Sequence, residues 1–236
     1  MKTYKRITIC VCRSRGFISP DLVARLAACA EGAGCTVELV DDMCGAISGG
    51  DGRVGQWAQG VVAACHERAV RALFDWAGLD ADCIVDMRGA GADDHTLLNK
   101  YIDADAEPEA DRVEAYRAQI ESMPRRLGCD PWFPVIDKRE CAECGKCLDF
   151  CPFGVYEMVD DRVRVVHPGK CKNNCPACAR TCPAQAVIFP KYDRSPINGG
   201  TEKEETTIGV SANMLYTDAL RNRLAQRKAG LKLVKD

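Results

Sequence analysis

The sequence lacks any apolar run that approaches the roughly 20 residues needed to cross a membrane. Residues 1–12 contain basic residues, but their apolar run is too short for a secretory signal, and no small-residue cleavage site follows it. We therefore expect a cytoplasmic protein without a membrane span. Thiols stay reduced in that compartment, so clustered cysteines there indicate metal ligands rather than disulfides.

The sequence also lacks an excess of charge of either sign. The chain has 32 basic and 34 acidic residues, which leave a net charge of −2. A nucleic-acid binder normally carries a basic excess, so we expect no nucleic-acid partner. Hydrophobic residues make up 47% of the 236 residues, which is enough for one large domain or two small ones with packed cores.

Cysteine is abundant, with 16 residues, and half of these form two runs with regular spacing. The runs are Cys141-x2-Cys144-x2-Cys147-x3-Cys151-Pro152 and Cys171-x3-Cys175-x2-Cys178-x3-Cys182-Pro183. The first has the spacing of bacterial ferredoxins with two clusters, and the second differs from it by one inserted residue.

This spacing predicts two [4Fe–4S] clusters whose ligands are exchanged between the runs. Three cysteines on a tight loop turn their sulfurs toward one centre, whereas the fourth lies beyond the loop and ligates the other cluster. The first predicted set is Cys141, Cys144, Cys147 and Cys182, and the second is Cys171, Cys175, Cys178 and Cys151. Zinc is the alternative, but a zinc site does not require this pattern twice.

The cysteine-rich module is also an internal repeat. A short apolar segment follows each run, at 155–159 and 186–189, and Asp160-Asp161 predicts the turn of a hairpin with 162–166. Over residues 138–190 the module resembles the bacterial-type two-[4Fe–4S] ferredoxins. The resemblance implies low-potential transfer of single electrons between clusters that lie close together.

The N-terminal half alternates between predicted strands and helices. Strands are expected at 5–12, 35–41, 60–65 and 82–87, and helices follow Ser19, span 66–78 and span 107–127. This order predicts an α/β domain with a small parallel sheet. A G-x-G-x-x-G motif occurs at 50–55 but does not follow a strand, so it predicts a glycine-rich loop, and we expect no flavin or nicotinamide site.

Four cysteines of this half follow the predicted strands. Cys10 and Cys12 end the first strand, Cys44 follows the second, and Cys65 ends the third. Ligands of an open parallel sheet bind beyond the carboxyl ends of its strands, so these thiols are candidates for one common centre. The alternatives are buried cysteines that serve as small apolar residues, and a redox-active dithiol at Cys10 and Cys12. The remaining cysteines, Cys29, Cys35, Cys83 and Cys129, are interpreted as structural.

Three short pieces in this half resemble the N-terminal region of the A-type subunit of heterodisulfide reductase. They are Cys10-Val-Cys12, the run that ends at Cys44, and residues 61–68 around Cys65. The resemblance implies a third [4Fe–4S] cluster on these cysteines. Residues 88–95 lack the further cysteine that this family would have there, so the candidates for the fourth ligand are Cys10 and His95.

The sequence thus predicts an α/β domain at 1–128, a linker at 129–137, an α+β ferredoxin domain at 138–190 and a tail at 191–236 with a helix over 211–229. We expect an electron-transfer subunit that serves redox partner proteins in a multi-subunit, anaerobic, heterodisulfide-reductase-like complex. The alternatives are reduction of a small molecule at an incompletely ligated N-terminal cluster, and a zinc-binding scaffold. The basic residues near the clusters are candidates for steering an acidic partner or for raising the potential, and the alternative is that they are simply solvated. They are Lys138, Arg139, Lys146, Lys170 and Lys172.

Overall fold

The computed structural model describes residues 4–12, 16–88, 95–102, 107–124 and 130–201. Met1–Gly200 form one compact unit, which contains both the α/β part and the ferredoxin part. A second unit, Thr201–Asp236, falls outside the described residues apart from Thr201. The predicted helix over 211–229 and Cys129 also lie outside them.

The N-terminal part is built on a parallel sheet of four strands in the order β2-β1-β3-β4. The strands are β1 (Arg6–Cys10), β2 (Thr36–Val40), β3 (Val61–Ala64) and β4 (Cys83–Asp86), which confirms the predicted parallel sheet. Every residue of β3 is buried, and so are Ile7 and Ile9 of β1. Continuous apolar runs are typical of parallel strands that are covered on both faces.

Helices connect and cover these strands. They are α1 (Pro20–Gly32), α2 (Met43–Ser48), α3 (Val54–Ala58), α4 (Glu67–Trp76) and α5 (Ala110–Ser122). Helix α1 connects β1 to β2, α4 connects β3 to β4, and α5 packs on α1. The glycine motif at 50–55 spans the loop between α2 and α3, so no strand precedes it. None of the helices in the described residues is long and apolar enough to cross a membrane.

The ferredoxin part consists of short elements around two small antiparallel sheets. Its elements are β5 (Val135–Ile136), α6 (Lys146–Phe150), β6 (Tyr156–Val159), β7 (Arg162–Val165), α7 (Ala177–Thr181) and β8 (Val187–Ile188). Asp160 and Asp161 have φ of 50° and 55° and join β6 to β7, as predicted for a tight hairpin turn. Strand β5 pairs with β8 although it lies in residues 129–137, which the sequence assigns to a linker.

Helix α4 carries much of the contact between the two parts. The Arg68 guanidinium donates to the carboxylate of Asp137 at 2.9 Å. The Trp76 indole N–H donates to the carbonyl of Val165 at 3.0 Å, and its ring lies against Phe133 with centroids 5.0 Å apart. These contacts fix the position of the ferredoxin part on one face of the parallel sheet.

Candidate metal centres

The two cysteine runs adopt the same local structure. Cys147 and Cys178 each occupy the second position of a five-residue helix, α6 and α7 respectively. Cys151 and Cys182 are the residues that directly follow these helices. Helices α6 and α7 pack against each other, so the fourth cysteine of each run is carried toward the other run.

Left-handed backbone conformations recur at equivalent positions of the repeat. Glu143, with φ of 49°, precedes Cys144, and Asn174, with φ of 59°, precedes Cys175. Three residues after the last cysteine of each run, Gly154 has φ of 65° and Gln185 has φ of 50°. The inserted residue of the second loop therefore lies before Asn174, and the left-handed conformation directly before Cys175 matches that before Cys144.

The first predicted set of cysteines comes together across the sequence. The pKa of Cys147 is raised to about 12: burial is the largest cause, backbone hydrogen bonds oppose it in part, and the charges of Cys141 and Cys182 contribute to the rise. The pKa of Cys141 is also raised, chiefly by burial, and Cys182 and Cys144 are among its charged neighbours. Cys182 thus lies within electrostatic range of the other run, although 31 residues separate it from Cys151, the last cysteine there.

The second predicted set is arranged in the same way. The pKa of Cys171 is raised to about 12, chiefly by burial and in smaller part by the charges of Cys178, Cys175 and Cys151. All four of these cysteines line one small pocket, whose other walls include Pro134, Phe150, Pro152, Phe153 and Val155. Four thiols around a largely apolar cavity are a suitable donor set for an iron–sulfur cluster, which is held by cysteine thiolates.

Hydrogen-bond donors point at several of these sulfurs. In the first set, the amide of Ala186 donates to the Cys182 sulfur at 3.3 Å, and backbone amides also bond Cys141 and Cys147. In the second set, the Tyr156 hydroxyl donates to the Cys178 sulfur at 3.0 Å. Burial, and then the charge of Cys178, raises the pKa of Tyr156, which keeps this hydroxyl protonated. Such donors stabilise negative charge on the sulfur.

The N-terminal cysteines gather where the strand order of the sheet reverses. Cys10 ends β1 and Cys65 directly follows β3, the neighbouring strand, while Cys44 lies in the first turn of α2. Burial, together with the charges of Cys12 and Cys65, raises the pKa of Cys10. Burial also raises the pKa of Cys44, with Cys65, Asp42 and Cys10 contributing. Ligand sites of open α/β sheets are found at this point.

The position of Cys12 has a different cause from the predicted one. The sequence predicts that Cys12 ends the first strand, but β1 ends at Cys10. Cys12 instead has φ of 54°, a left-handed conformation that costs a non-glycine residue about 1–2 kcal/mol. Its charge nevertheless affects both Cys10 and Cys65, so the backbone conformation after the strand brings it to the site.

A buried ion pair adjoins the N-terminal site, and no sequence pattern predicted it. Asp42 caps α2 by accepting a hydrogen bond from the amide of Gly45 at 3.2 Å, and its second oxygen accepts one from Lys191 at 2.5 Å. Lys191 also donates to the carbonyl of Asp130. Its charge lowers the pKa of Cys44, against the dominant effect of burial. No local pattern could indicate this pair, because 149 residues separate its members.

The other predicted residues have less direct roles. His95 begins a 3₁₀ helix, His95–Leu98, and its side chain lies outside what the structure describes. Burial raises the pKa of Cys29 and of Cys35, and no other cysteine contributes to either shift. Two of the basic residues expected to steer a partner are used internally: Lys138 pairs with Asp75 at 3.5 Å and Arg139 with Asp137 at 3.3 Å.

The described residues contain no group of three or more His, Cys, Asp or Glu side chains that could hold a single metal ion. A tetrahedral zinc site needs four donors bound to one atom. A cubane spreads its thiolates over four iron corners, so the sulfurs of a cluster site lie farther apart.

Comparison with known proteins agrees with this geometry. The family model of the 4Fe-4S dicluster domain matches residues 133–183. A ferredoxin of Methanothermococcus thermolithotrophicus is 35% identical over 51 residues, which are 22% of this chain and 83% of that protein. The chain belongs to the ferredoxin family. This membership confirms the predicted ferredoxin resemblance of the C-terminal part.

Two further relatives of the present chain are matched over less than two thirds of their own length. An uncharacterized ferredoxin of Methanocaldococcus jannaschii is 45% identical over 60 residues, which are 25% of this chain and 41% of that protein. The pyruvate synthase subunit PorD of Methanothermobacter marburgensis is 35% identical over 54 residues, which are 23% of this chain and 60% of that subunit. The resemblance of the N-terminal half to heterodisulfide reductase stays a prediction.

Proposed function

We propose that this ferredoxin relays single electrons through two [4Fe–4S] clusters whose ligands are exchanged between the two cysteine runs. The observation that supports this most directly is the place of the two outlying cysteines. Cys182 interacts with Cys141 and Cys147, whereas Cys151 interacts with Cys171 and Cys178. Each set therefore combines three cysteines of one run with the last cysteine of the other.

The chain's own residues would hold and tune these clusters. Without metal, burial keeps thiols such as Cys147 and Cys171 protonated, so cluster binding would release their protons. A bound cluster supplies the capacity to accept and release one electron. Backbone amides and the Tyr156 hydroxyl would stabilise the negative charge on the sulfurs, while apolar side chains limit the access of water.

The N-terminal site is proposed as a third [4Fe–4S] cluster held by Cys10, Cys12, Cys44 and Cys65. Its support is that these four buried or half-buried thiols interact with one another at the switch point of the sheet. Cys10, which lies beside Cys12 and Cys65, is proposed as the fourth ligand. The buried ion pair of Lys191 with Asp42 adjoins this site, and of the two charges Asp42 has the larger effect on Cys44.

The packing suggests an order for the electron path. Cys171 packs against both the core of the parallel sheet and the core of the ferredoxin part. The cluster of the second set would therefore lie between the N-terminal site and the cluster of the first set. In the first set Cys144 is exposed, so electrons would be exchanged with a partner there.

The partners are proposed to be redox subunits of a larger complex related to heterodisulfide reductase, in an anaerobic cytoplasm. One relative is named as a subunit of pyruvate synthase, which supports a role inside an enzyme complex. Reduction of a small molecule at an open iron corner is less well supported, because Cys10 lies with the other three thiols. A zinc scaffold lacks a suitable donor group among the described residues.

A redox titration followed by electron paramagnetic resonance (EPR) tests this function. The protein is purified without oxygen and reduced stepwise with dithionite. We expect low-potential, one-electron signals from at least two [4Fe–4S]⁺ centres, broadened by magnetic coupling between neighbouring clusters. A protein that shows no signal at any potential, although it contains stoichiometric zinc, would overturn the proposal.

A further inference from the structure

The two ferredoxin cluster sites differ at one equivalent position of the repeat. Tyr156 is the fifth residue after Cys151, and Val187 is the fifth residue after Cys182. Both residues are buried, and both lie in short strands that follow α6 and α7. Only the tyrosine carries a hydroxyl, and that hydroxyl donates to the Cys178 sulfur at 3.0 Å.

The environment of Tyr156 fixes this hydrogen bond. Its side chain is 2% exposed, and its residue pairs with Val165 in the β6–β7 hairpin. It lines the same cavity as Cys178 and Cys151. A buried hydroxyl requires a hydrogen-bond partner, and the Cys178 sulfur is the partner of Tyr156 in the structure.

The first set has no comparable donor. In the described part of the chain, the sulfurs of Cys141, Cys147 and Cys182 accept hydrogen bonds from backbone amides, and none accepts one from a side-chain hydroxyl. Backbone amides cannot be removed by substitution of a side chain. The Tyr156 hydroxyl therefore donates a hydrogen bond to the second set alone. A substitution of Tyr156 removes this bond without changing the donors to the first set.

Hydrogen bonds to cluster sulfurs help to set the reduction potential. Reduction adds one electron, so the sulfurs carry more negative charge in the reduced state. A donor to one of them stabilises the reduced state more than the oxidised state and thereby raises the potential.

We propose that Tyr156 is a positioning residue whose hydroxyl raises the reduction potential of the cluster held by Cys171, Cys175, Cys178 and Cys151. The hydrogen bond makes the two clusters of the repeat inequivalent. This inference rests on the proposed function, because it requires both clusters to be present.

The test is a potentiometric EPR titration of Tyr156→Phe. This substitution removes the hydroxyl and keeps the ring that fills the site. We expect the potential of one cluster to fall by an amount equal to about a threefold to tenfold change in its reduction equilibrium, where tenfold corresponds to ~59 mV for one electron. The potential of the other cluster should stay unchanged.

Tyr192→Phe is the matched control. The Tyr192 hydroxyl accepts a hydrogen bond from the exposed Arg180 at 3.1 Å, and within the described part of the chain it forms no hydrogen bond to a cysteine. Its removal should leave both potentials as they are in the wild-type protein. A Tyr156→Phe protein that holds both clusters at wild-type potentials would overturn the inference. A wild-type protein without clusters would instead overturn the proposed function.

A second measurement covers the case in which Tyr156→Phe fails to bind its clusters. Biosynthetic incorporation of 3-fluorotyrosine makes the hydroxyl a stronger donor without removing a side chain. The potential of the same cluster should then rise, in the direction opposite to the effect of phenylalanine. Unchanged potentials in the fully fluorinated, fully loaded protein would also contradict the role of Tyr156.

Discussion

The ammonium group of Lys191 is buried against the carboxylate of Asp42, and each side chain is 3% exposed. Asp42 caps the helix that contains Cys44, whereas Lys191 follows the last strand of the ferredoxin part. This ion pair therefore links the segment around the N-terminal cysteines to the ferredoxin part. Breaking such a pair leaves one uncompensated charge in the interior.

Replacement of Lys191 by methionine should destabilise the protein strongly. The loss of the buried cation leaves Asp42 unpaired, which costs about 3–5 kcal/mol. The measurement is the thermal unfolding midpoint of the anaerobic protein at one fixed scan rate. Lys138→Met is the control, because Lys138 is 42% exposed and its pair with Asp75 should contribute less than about 1 kcal/mol. Equal midpoints for the two variants would show that the buried pair does not stabilise the fold.

The contact between Arg68 and Asp137 should give a pH-dependent contribution to stability. Burial alone would raise the pKa of Asp137, but hydrogen bonds from Arg68 and Arg139 outweigh it and lower the pKa. Arg68→Ala should destabilise the protein by about 1–3 kcal/mol. A depressed carboxylate pKa stabilises the fold above its unfolded value near ~3.9 and stops doing so as pH falls through the folded value.

The stability difference between wild type and Arg68→Ala should therefore be constant from about pH 8 to pH 5 and shrink below about pH 4. Unfolding midpoints across that range measure it. Arg112→Ala is a suitable control, since Arg112 forms long, exposed ion pairs at 3.5 Å and 3.8 Å. A difference that disappears between pH 8 and pH 6 would assign the effect to a group other than Asp137.

Exchange of ligands between the runs can be tested by combining Tyr156→Phe with the loss of one outlying cysteine. In Cys182→Ala the damaged cluster should be that of the first set, so the remaining cubane should still respond to Tyr156→Phe. In Cys151→Ala the remaining cubane should not respond. EPR separates the damaged cluster, as a three-iron signal, from the intact one. The reverse pattern would mean that each run ligates its own cluster.

The spacing of the cysteines was sufficient to predict the ferredoxin part, because a cluster constrains a short stretch of chain. The hairpin turn at Asp160-Asp161 and the β-strands of the parallel sheet were also predicted, since turn chemistry and continuous apolar runs are local signals. In contrast, β5 has two residues and no periodicity, so its pairing with β8 could not be recognised.

Contacts between residues that are far apart in the chain could not be predicted from the sequence. The pair of Lys191 with Asp42 and the hydrogen bond from Tyr156 to Cys178 depend on how separate segments pack. The sequence predicted that Cys10 and Cys12 lie together at the end of the first strand. In the structure, the left-handed backbone conformation of Cys12 brings it to the site instead. His95 could not be compared with the prediction, because its side chain lies outside the described residues.

Iron and acid-labile sulfide analysis of the anaerobically purified protein tests the central claim most directly. We predict about twelve irons and about twelve sulfides per chain for the wild type, and about eight of each for Cys12→Ala/Cys65→Ala. The same double variant should keep the two ferredoxin signals in EPR. A wild-type protein with fewer than about eight irons, and with zinc bound in their place, would contradict the claim.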